Sequence, residues 1–342
     1  MEELNKEQSY LVTASLLILA SVAIGFVLQY SSSIMIPFTF AVFIVQLVSP
    51  ILDYQVIKLN VSRKIAIATS MLLVIVILAV ICILLVNTIS ILLRTANSYT
   101  DTYVGFIEKY LWKSDLFGIE LDRAQLTSQI RSYIPRIVSG TFGTIMSFLS
   151  KFTLVSIFVM FLLVGRNPYV IQKGIYAEID HQVRKYLIIK TIMSVLTGLL
   201  VWAILSAFNL KLAVVFGTLA FLLNYIPSLG SIIASLLPVP VVLAQFGNPW
   251  MAAAVIASPA VVEFTIGNVI EPRILGKGLN LHPVTVLFSL TFWGLLWGIP
   301  GMFLAAPITA IIRIILMQFE TLRPAGMLLA GHLPEKINNS EN

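Results

Sequence analysis

Residues 212–244 read LAVVFGTLAFLLNYIPSLGSIIASLLPVPVVLA, an apolar stretch without a charged side chain and with a Pro/Gly interruption near its centre. As one helix the stretch would extend about 50 Å, well beyond the roughly 30 Å hydrocarbon core of a bilayer. The interruption, Asn224 to Gly230, leaves two halves that are each about 21 Å long and too short to cross. We therefore predict a re-entrant hairpin, whose two half-helices enter and leave the membrane on the same side. Such backbone persists at membrane depth only where protein or a water-filled cavity surrounds it.

A second apolar run, Val284–Leu316, repeats this design with Gly298, Pro300 and Gly301 at its centre. We expect a second re-entrant hairpin whose tip meets the first at mid-depth, with Pro227, Gly230, Pro300 and Gly301 permitting the sharp bends. Prolines and glycines in membrane helices also serve simply as kinks or close-packing positions. Two comparable breaks favour a functional role, because transporters bind substrates at interrupted helices.

The composition places the whole chain in a membrane. Of its 342 residues, 58% are apolar and 11% are charged, whereas a soluble domain carries about 25% charged residues. The net charge is +6, but the Lys and Arg residues are scattered over short loops and do not form a basic face. No nucleic-acid partner is therefore expected. The sequence predicts an all-α, polytopic integral membrane helical bundle with about eight hydrophobic segments, two of them Pro/Gly-broken re-entrant hairpins.

The order of apolar and polar segments predicts five parts. They are three N-terminal spans in 1–93, an extramembrane amphipathic helical unit in 94–136, a fourth span and an interfacial helix in 137–190, a transport core with both hairpins in 191–320, and a C-terminal tail in 321–342. The interfacial helix is inferred from apolar residues at every fourth position from Ile171 to Leu187. A regulatory role for this helix remains open.

The charges of the loops predict the orientation. With the N-terminus inside, the loop that contains Lys58 and Arg63 is cytoplasmic, as the positive-inside rule requires. Two hairpins also place Arg273 and Lys277 in the cytoplasm and the uncharged loop near Gly247 outside, whereas two single spans would reverse them. We expect both termini on the cytoplasmic side of a bacterial inner membrane.

Catalytic constellations are absent from the sequence. The three histidines, His181, His282 and His332, have no metal-ligand spacing, and Cys82 is the only cysteine. No phosphate-binding loop or nucleophile elbow occurs. We therefore expect neither an enzyme nor a cofactor.

Several polar residues interrupt the apolar segments. Glu263 lies inside the predicted helix Asn248–Ile270, where a carboxylate usually pairs or handles protons unless it reaches the headgroups. Asn268 and Glu271 share one face of this helix. Whether Glu271 forms an ion pair, with Arg273 or Arg313, or takes part in gating is open.

Lys151 interrupts the fourth span. It either faces a polar cavity or extends its ammonium group to one interface.

The segment Lys190–Ala310 resembles the autoinducer-2 exporter family of bacterial permease-like proteins. The resemblance rests on ordered motifs that cover about a third of the chain: Lys190-Thr191, Thr197-Gly198, Asn224-Tyr225-Ile226-Pro227 with Gly230, NVIEPRILG at 268–276, LHPV at 281–284, FWG at 292–294, WGIPG at 297–301, Leu304-Ala305 and Pro307. The N-terminal half matches only in length and in the pattern of spans.

This resemblance implies a transporter of small polar molecules. Members resemble exporters of a signalling furanone used in quorum sensing, sodium/proton antiporters, or permeases of unassigned substrate. The resemblance also implies a homo-oligomer, with a pentamer as one suggested number. The candidate solute or ion pathway comprises Asn224, Pro227, Gly230, Glu263, Asn268, Glu271, Arg273, Gly298, Pro300 and Gly301.

Three candidate functions are compatible with the sequence. The first is an exporter of a small polar metabolite such as autoinducer-2, whose energy comes from gradients or from a separate subunit because no ATP-binding motif is present. The second is a sodium or lithium/proton antiporter, in which Glu263 or Glu271 titrates. The third, of another class, is a non-transporting membrane scaffold or signalling partner that acts through Arg94–Arg136.

The hairpin topology is tested by cysteine labelling in a background that lacks Cys82. Because two hairpins place residue 248 outside and residue 277 inside, an impermeant thiol reagent added to cells should label Asn248→Cys and spare Lys277→Cys. Labelling of position 277 from outside would contradict the hairpin topology.

Overall fold

The computed structural model describes residues 2–106, 128, 150–167, 169, 173–246, 248–275 and 279–332, and within these ranges every regular element is a helix. The helices are α1 (Glu2–Tyr30), α2 (Ser32–Ile57), α3 (Arg63–Phe106), α4 (Phe152–Gly165), α5 (Ile175–Ala207), α6 (Ala213–Leu223), α7 (Leu229–Leu236), α8 (Val239–Gln245), α9 (Pro249–Thr265), a π-helical segment (Ile266–Ile270), α10 (Glu271–Leu275), α11 (Pro283–Trp297), α12 (Ile299–Gln318) and α13 (Arg323–Leu329).

Five helical stretches are long and apolar enough to cross a bilayer, and shorter apolar helices accompany them. The five are Ser32–Ile57, Arg63–Thr88, Ile175–Ala207, Pro249–Leu275 and Ile299–Gln318. Large apolar side chains face outward along these helices, as expected where lipid is the solvent. The prediction of a polytopic helical membrane protein is confirmed.

Helices α2, α3 and α4 form a unit with its own apolar core, in which Leu52 is fully buried. Polar contacts join the ends of the three helices. The Arg63 guanidinium donates to the carbonyl oxygens of Val164 and Arg166, each at 2.6 Å. The Arg166 side chain in turn forms a 3.0 Å ion pair with Asp53. We call this unit the frame.

The first interruption forms a hairpin between α6 and α7. Its bend is at Ser228, with φ 60° and ψ −53°, and the Leu229 N–H donates to the Pro227 carbonyl oxygen at 2.6 Å. This is a three-residue γ-turn of the rare, strained kind. Beyond the bend, Gly230 lies so close to α6 that a Cβ there would overlap the Leu223 carbonyl oxygen.

The second interruption forms a hairpin between α11 and α12. Gly298 makes the bend with φ 65° and ψ −146°, a conformation that favours glycine. A Cβ at Gly301 would overlap the Trp293 carbonyl oxygen. The helix α12 has 20 residues, about 30 Å, so this arm is longer than the half-helix predicted.

The roles expected of two glycines are thereby corrected. Gly230 and Gly301 were predicted to permit the bends, yet Ser228 and Gly298 occupy the bends. The two glycines instead let the second arm of each hairpin approach the backbone of the first arm. Glycine is needed at these two positions because a Cβ would overlap the facing backbone, and not because φ is positive.

Two segment boundaries also differ from the sequence analysis. The predicted surface helix and the fifth span are one continuous helix, α5, which crosses the boundary at residue 190. Helix α3 continues past residue 93 to Phe106. Most of the 94–136 unit, Lys277 and the tail beyond His332 lie outside the described residues.

Alanine at the two contact glycines should open the hairpins. A methyl group at Gly230 or Gly301 meets backbone that cannot rotate away, and overpacking of this kind costs about 1–3 kcal/mol or more. We expect Gly230→Ala and Gly301→Ala each to lower the thermal unfolding temperature in detergent. Gly25→Ala is the control, because nothing lies within 4 Å of a Cβ at that position. Unchanged unfolding temperatures for both hairpin variants would contradict the close approach.

Candidate functional site

The break between α6 and α7 faces a row of polar side chains on α5. The Asn224 side-chain amide donates to the Ser194 hydroxyl at 3.0 Å, and both residues are buried. The Tyr225 hydroxyl donates to the Thr191 hydroxyl at 3.1 Å. These four residues, together with Lys190 and Glu271, form what we call the polar seam.

A buried ion pair lies at one end of the polar seam. The Lys190 ammonium group is 2.6 Å from a carboxylate oxygen of Glu271, and the two residues are 4% and 8% exposed. Burial makes an unpaired charge very costly, so each of these two charges depends on the other. The sequence analysis considered Arg273 or Arg313 as the partner of Glu271. Both are wrong, because α5 supplies the partner.

The two hairpins meet beside the polar seam. The Tyr225 ring stacks on Phe303 of α12, with centroids 5.7 Å apart and planes at 19°. Ile226 is buried in the same apolar cluster as Trp297 and Leu304 of the second hairpin. The turn of the first hairpin therefore packs against the second hairpin.

Tryptophans tie the second hairpin to its surroundings. Trp297 donates its indole N–H to the Leu28 carbonyl oxygen of α1 at 3.0 Å, and Trp293 donates to the Thr309 hydroxyl at 3.3 Å. These bonds satisfy indole groups that would otherwise be unpaired at the end of α11. One of these hydrogen bonds links the second hairpin to α1, and the other links its two arms, α11 and α12.

Glu263 lies on α9, two turns before Glu271. The residue is 2% exposed, and neither carboxylate oxygen has a well-formed hydrogen bond to any described residue. The hydroxyl group of Ser231, on α7, is its nearby polar neighbour. The carboxylate therefore lies inside the protein, beside the second arm of the first hairpin.

The remaining predicted site residues are spread more widely. Asn268 is exposed and donates to the Phe264 carbonyl oxygen of its own helix at 3.2 Å. Arg273 and Gly298 are exposed, and Pro300 is half-buried. The structure does not bring these four residues to the polar seam. Pro227 and Gly230 belong to the hairpin that carries Asn224.

The sequence analysis missed four members of the polar seam as site residues: Lys190, Thr191, Ser194 and Tyr225. Three of them, Lys190, Thr191 and Ser194, lie where α5 becomes apolar, and Lys190 and Ser194 share a face at i and i+4, which is a detectable signal. Lys151, whose position the sequence left open, is half-buried at the start of α4. No group of acidic, histidine or cysteine side chains suited to a metal occurs among the described residues.

An apolar bundle whose interrupted helices close on buried polar groups is the architecture of a membrane transporter. The comparison with known proteins supports this class. The family model described as "AI-2E family transporter" matches residues 16–321, so the chain belongs to the AI-2E family of transporters.

Two relatives align with most of the chain. The AI-2 transport protein TqsA of Escherichia coli (strain K12) is 31% identical over 304 residues, which are 85% of this chain and 88% of that protein. A protein of Haemophilus influenzae, whose name proposes transport and gives no substrate, is 29% identical over 335 residues, or 89% of this chain and 90% of its own length.

Breaking the buried ion pair should destabilise the protein. Lys190→Met or Glu271→Leu alone leaves one buried charge without a partner, which costs about 3–5 kcal/mol. The double variant removes both charges and should regain most of the stability, because apolar side chains of similar volume replace the pair. Unfolding in detergent would measure this pattern. Additive losses in the double variant would show that the two side chains act independently.

Proposed function

We propose that this protein is a secondary transporter of the bacterial inner membrane that exports a small polar metabolite, with autoinducer-2 as the first candidate. The observation that carries the proposal is the polar seam, buried at the break of a helix where the second hairpin also arrives. The similarity to a relative named as an AI-2 transport protein supports the choice of solute.

The chemistry of the polar seam suits a solute rich in hydroxyl groups. Asn224 and Tyr225 present an amide and a phenol, and Ser194 and Thr191 present hydroxyls that both donate and accept. Net hydrogen-bond contributions are about 0.5–1.5 kcal/mol each, so four such bonds give roughly 4 kcal/mol, or a Kd of about 1 mM. Weak binding of this order allows a transported solute to leave.

We propose that the two hairpins move together against the frame during transport. Their contact through Tyr225 and Phe303 supports movement as one body. The frame has an apolar core of its own, and its α2 also contributes Ile36 and Phe43 to the cluster around the second hairpin. The energy would come from an ion gradient. With both termini cytoplasmic, the frame and α1 would make the contacts of a homo-oligomer, through apolar side chains exposed on α1 and α3.

A sodium or lithium/proton antiporter is the second candidate, and Glu263 favours it. A carboxylate that is buried without a hydrogen-bonded partner among the described residues is an unusual structural feature unless its charge is used. In that function the ion gradient itself, and not a metabolite, would be the product of transport.

Flux in proteoliposomes tests the proposed function. Purified protein is reconstituted, autoinducer-2 is loaded on one side, and its movement is followed with imposed proton or sodium gradients. We expect gradient-dependent flux above that of protein-free vesicles. Sodium–proton exchange without solute flux would favour the antiporter, and the absence of any flux would favour a scaffold.

A cross-link tests movement of the hairpins. Leu85 of α3 and Leu222 of α6 border the same narrow gap between the frame and the first hairpin. We expect a short bifunctional thiol reagent to stop flux in the pair Leu85→Cys and Leu222→Cys, in a background that lacks Cys82. The matched control joins Val48→Cys and Val159→Cys, which lie in the core of the frame. Full flux with the first pair joined would favour a fixed pore.

A further inference from the structure

Glu263 is distinguished from the other buried carboxylate by the absence of a counter-charge. Glu271 is neutralised by Lys190 at 2.6 Å, so its charge has a partner within the protein. Neither oxygen of Glu263 has a hydrogen-bonded partner among the described residues, and the residue is 2% exposed. An ionised carboxylate in such a place would be very costly, and a protonated one would cost much less.

The elements packed against α9 supply no compensating positive charge. Helix α9 contacts α5, α7 and α8 and continues into the π-helical segment and α10. Helices α7 and α8 contain no charged side chain, and neither does α5 beyond Lys190. On the following α10, Glu271 holds Lys190, and Arg273 is exposed. The hydroxyl group of Tyr225 donates a hydrogen bond to the Thr191 hydroxyl.

A proton suits this position better than a metal ion. Glu263 and Ser231 together offer three side-chain oxygens, fewer than the six or so that a hard cation requires. A protonated carboxyl group has one O–H to donate, and the Ser231 hydroxyl is an acceptor beside it. A Cβ at Gly267, one turn beyond Glu263, would lie 3.6 Å from the Ser231 hydroxyl oxygen, which places Ser231 directly against α9.

We propose that Glu263 carries the proton that is exchanged during transport, and that Ser231 links this proton to the position of the first hairpin. This inference rests on the proposed function and names its coupling ion. Glu263 accepts a proton from water on one side of the membrane. It holds the proton beside the Ser231 hydroxyl group while α7 and α9 are packed together, and releases it to water on the other side when they separate.

The π-helical segment gives α9 a place where this movement can be absorbed. It begins at Ile266, directly after the turn that bears Glu263, and ends next to Glu271. The Ile266 N–H is shared between the carbonyl oxygens of Glu263 and Val262. Such π-helical turns carry one extra residue and are frequent at functional sites. Glu263 can therefore shift relative to the ion pair without breaking that pair.

Infrared spectroscopy tests whether Glu263 is protonated, and it does so without a transport assay. In nanodiscs near neutral pH, wild-type protein should show the C=O stretching band of a protonated carboxylic acid. Glu263→Gln should remove that band, and Ser231→Ala should shift it because the carboxyl group loses its polar neighbour. Glu320→Gln, in an exposed turn between α12 and α13, should leave it unchanged. A wild-type spectrum without a Glu263 band would overturn the proposal.

Flux then tests coupling. With autoinducer-2 as the probe, a pH gradient should accelerate wild-type flux, and Glu263→Gln should lose that acceleration while Glu320→Gln keeps it. Retained acceleration in Glu263→Gln would overturn the proposal, as would a Glu263 band that appears only when sodium and lithium are removed. A Glu263 band without any autoinducer-2 flux would count against the proposed solute and would leave the proton site supported.

Discussion

A helix that stops inside an apolar bilayer leaves backbone N–H and C=O groups that water cannot reach, and every such group needs another partner. The break between α6 and α7 meets this constraint with its own backbone, because turns of the chain pair these groups, as in the hydrogen bond from the Leu229 N–H to the Pro227 carbonyl oxygen at the Ser228 bend. The side chains at the break pair with those of α5, in a polar seam that is buried or half-buried. We propose that a polar solute replaces these side-chain hydrogen bonds when it binds.

The second hairpin completes this arrangement. Phe303 covers the Tyr225 ring, and the indole of Trp297 reaches the Leu28 carbonyl oxygen of α1. Close approach of the arms at Gly230 and Gly301 makes each hairpin a compact pair of helices. Two hairpins joined through an aromatic contact, beside a frame with its own core, support the proposal that the hairpins move together against the frame.

Much of this could be predicted from the sequence, because charge-free runs and Pro/Gly breaks are local signals. The interruptions at 224–230 and 298–301 lie where they were expected. The partner of Glu271 could not be found in this way, since Lys190 is 81 residues distant in the chain. The continuity of α5 was also missed, because the change from an amphipathic to an apolar pattern near Lys190 suggested two helices. The absence of proline and glycine near Lys190 was the local signal for one helix.

The central claim is that a polar solute binds at the polar seam, and equilibrium binding of autoinducer-2 to the purified protein tests it most directly. Asn224→Leu keeps the size of the side chain and removes its amide. The matched control is Thr218→Val on α6, whose hydroxyl donates to the Val214 carbonyl oxygen of the same helix. We predict an affinity about tenfold lower for Asn224→Leu, since a polar group left unpaired costs roughly 1–3 kcal/mol, and an unchanged affinity for Thr218→Val. Wild-type affinity in a stably folded Asn224→Leu variant would contradict the account.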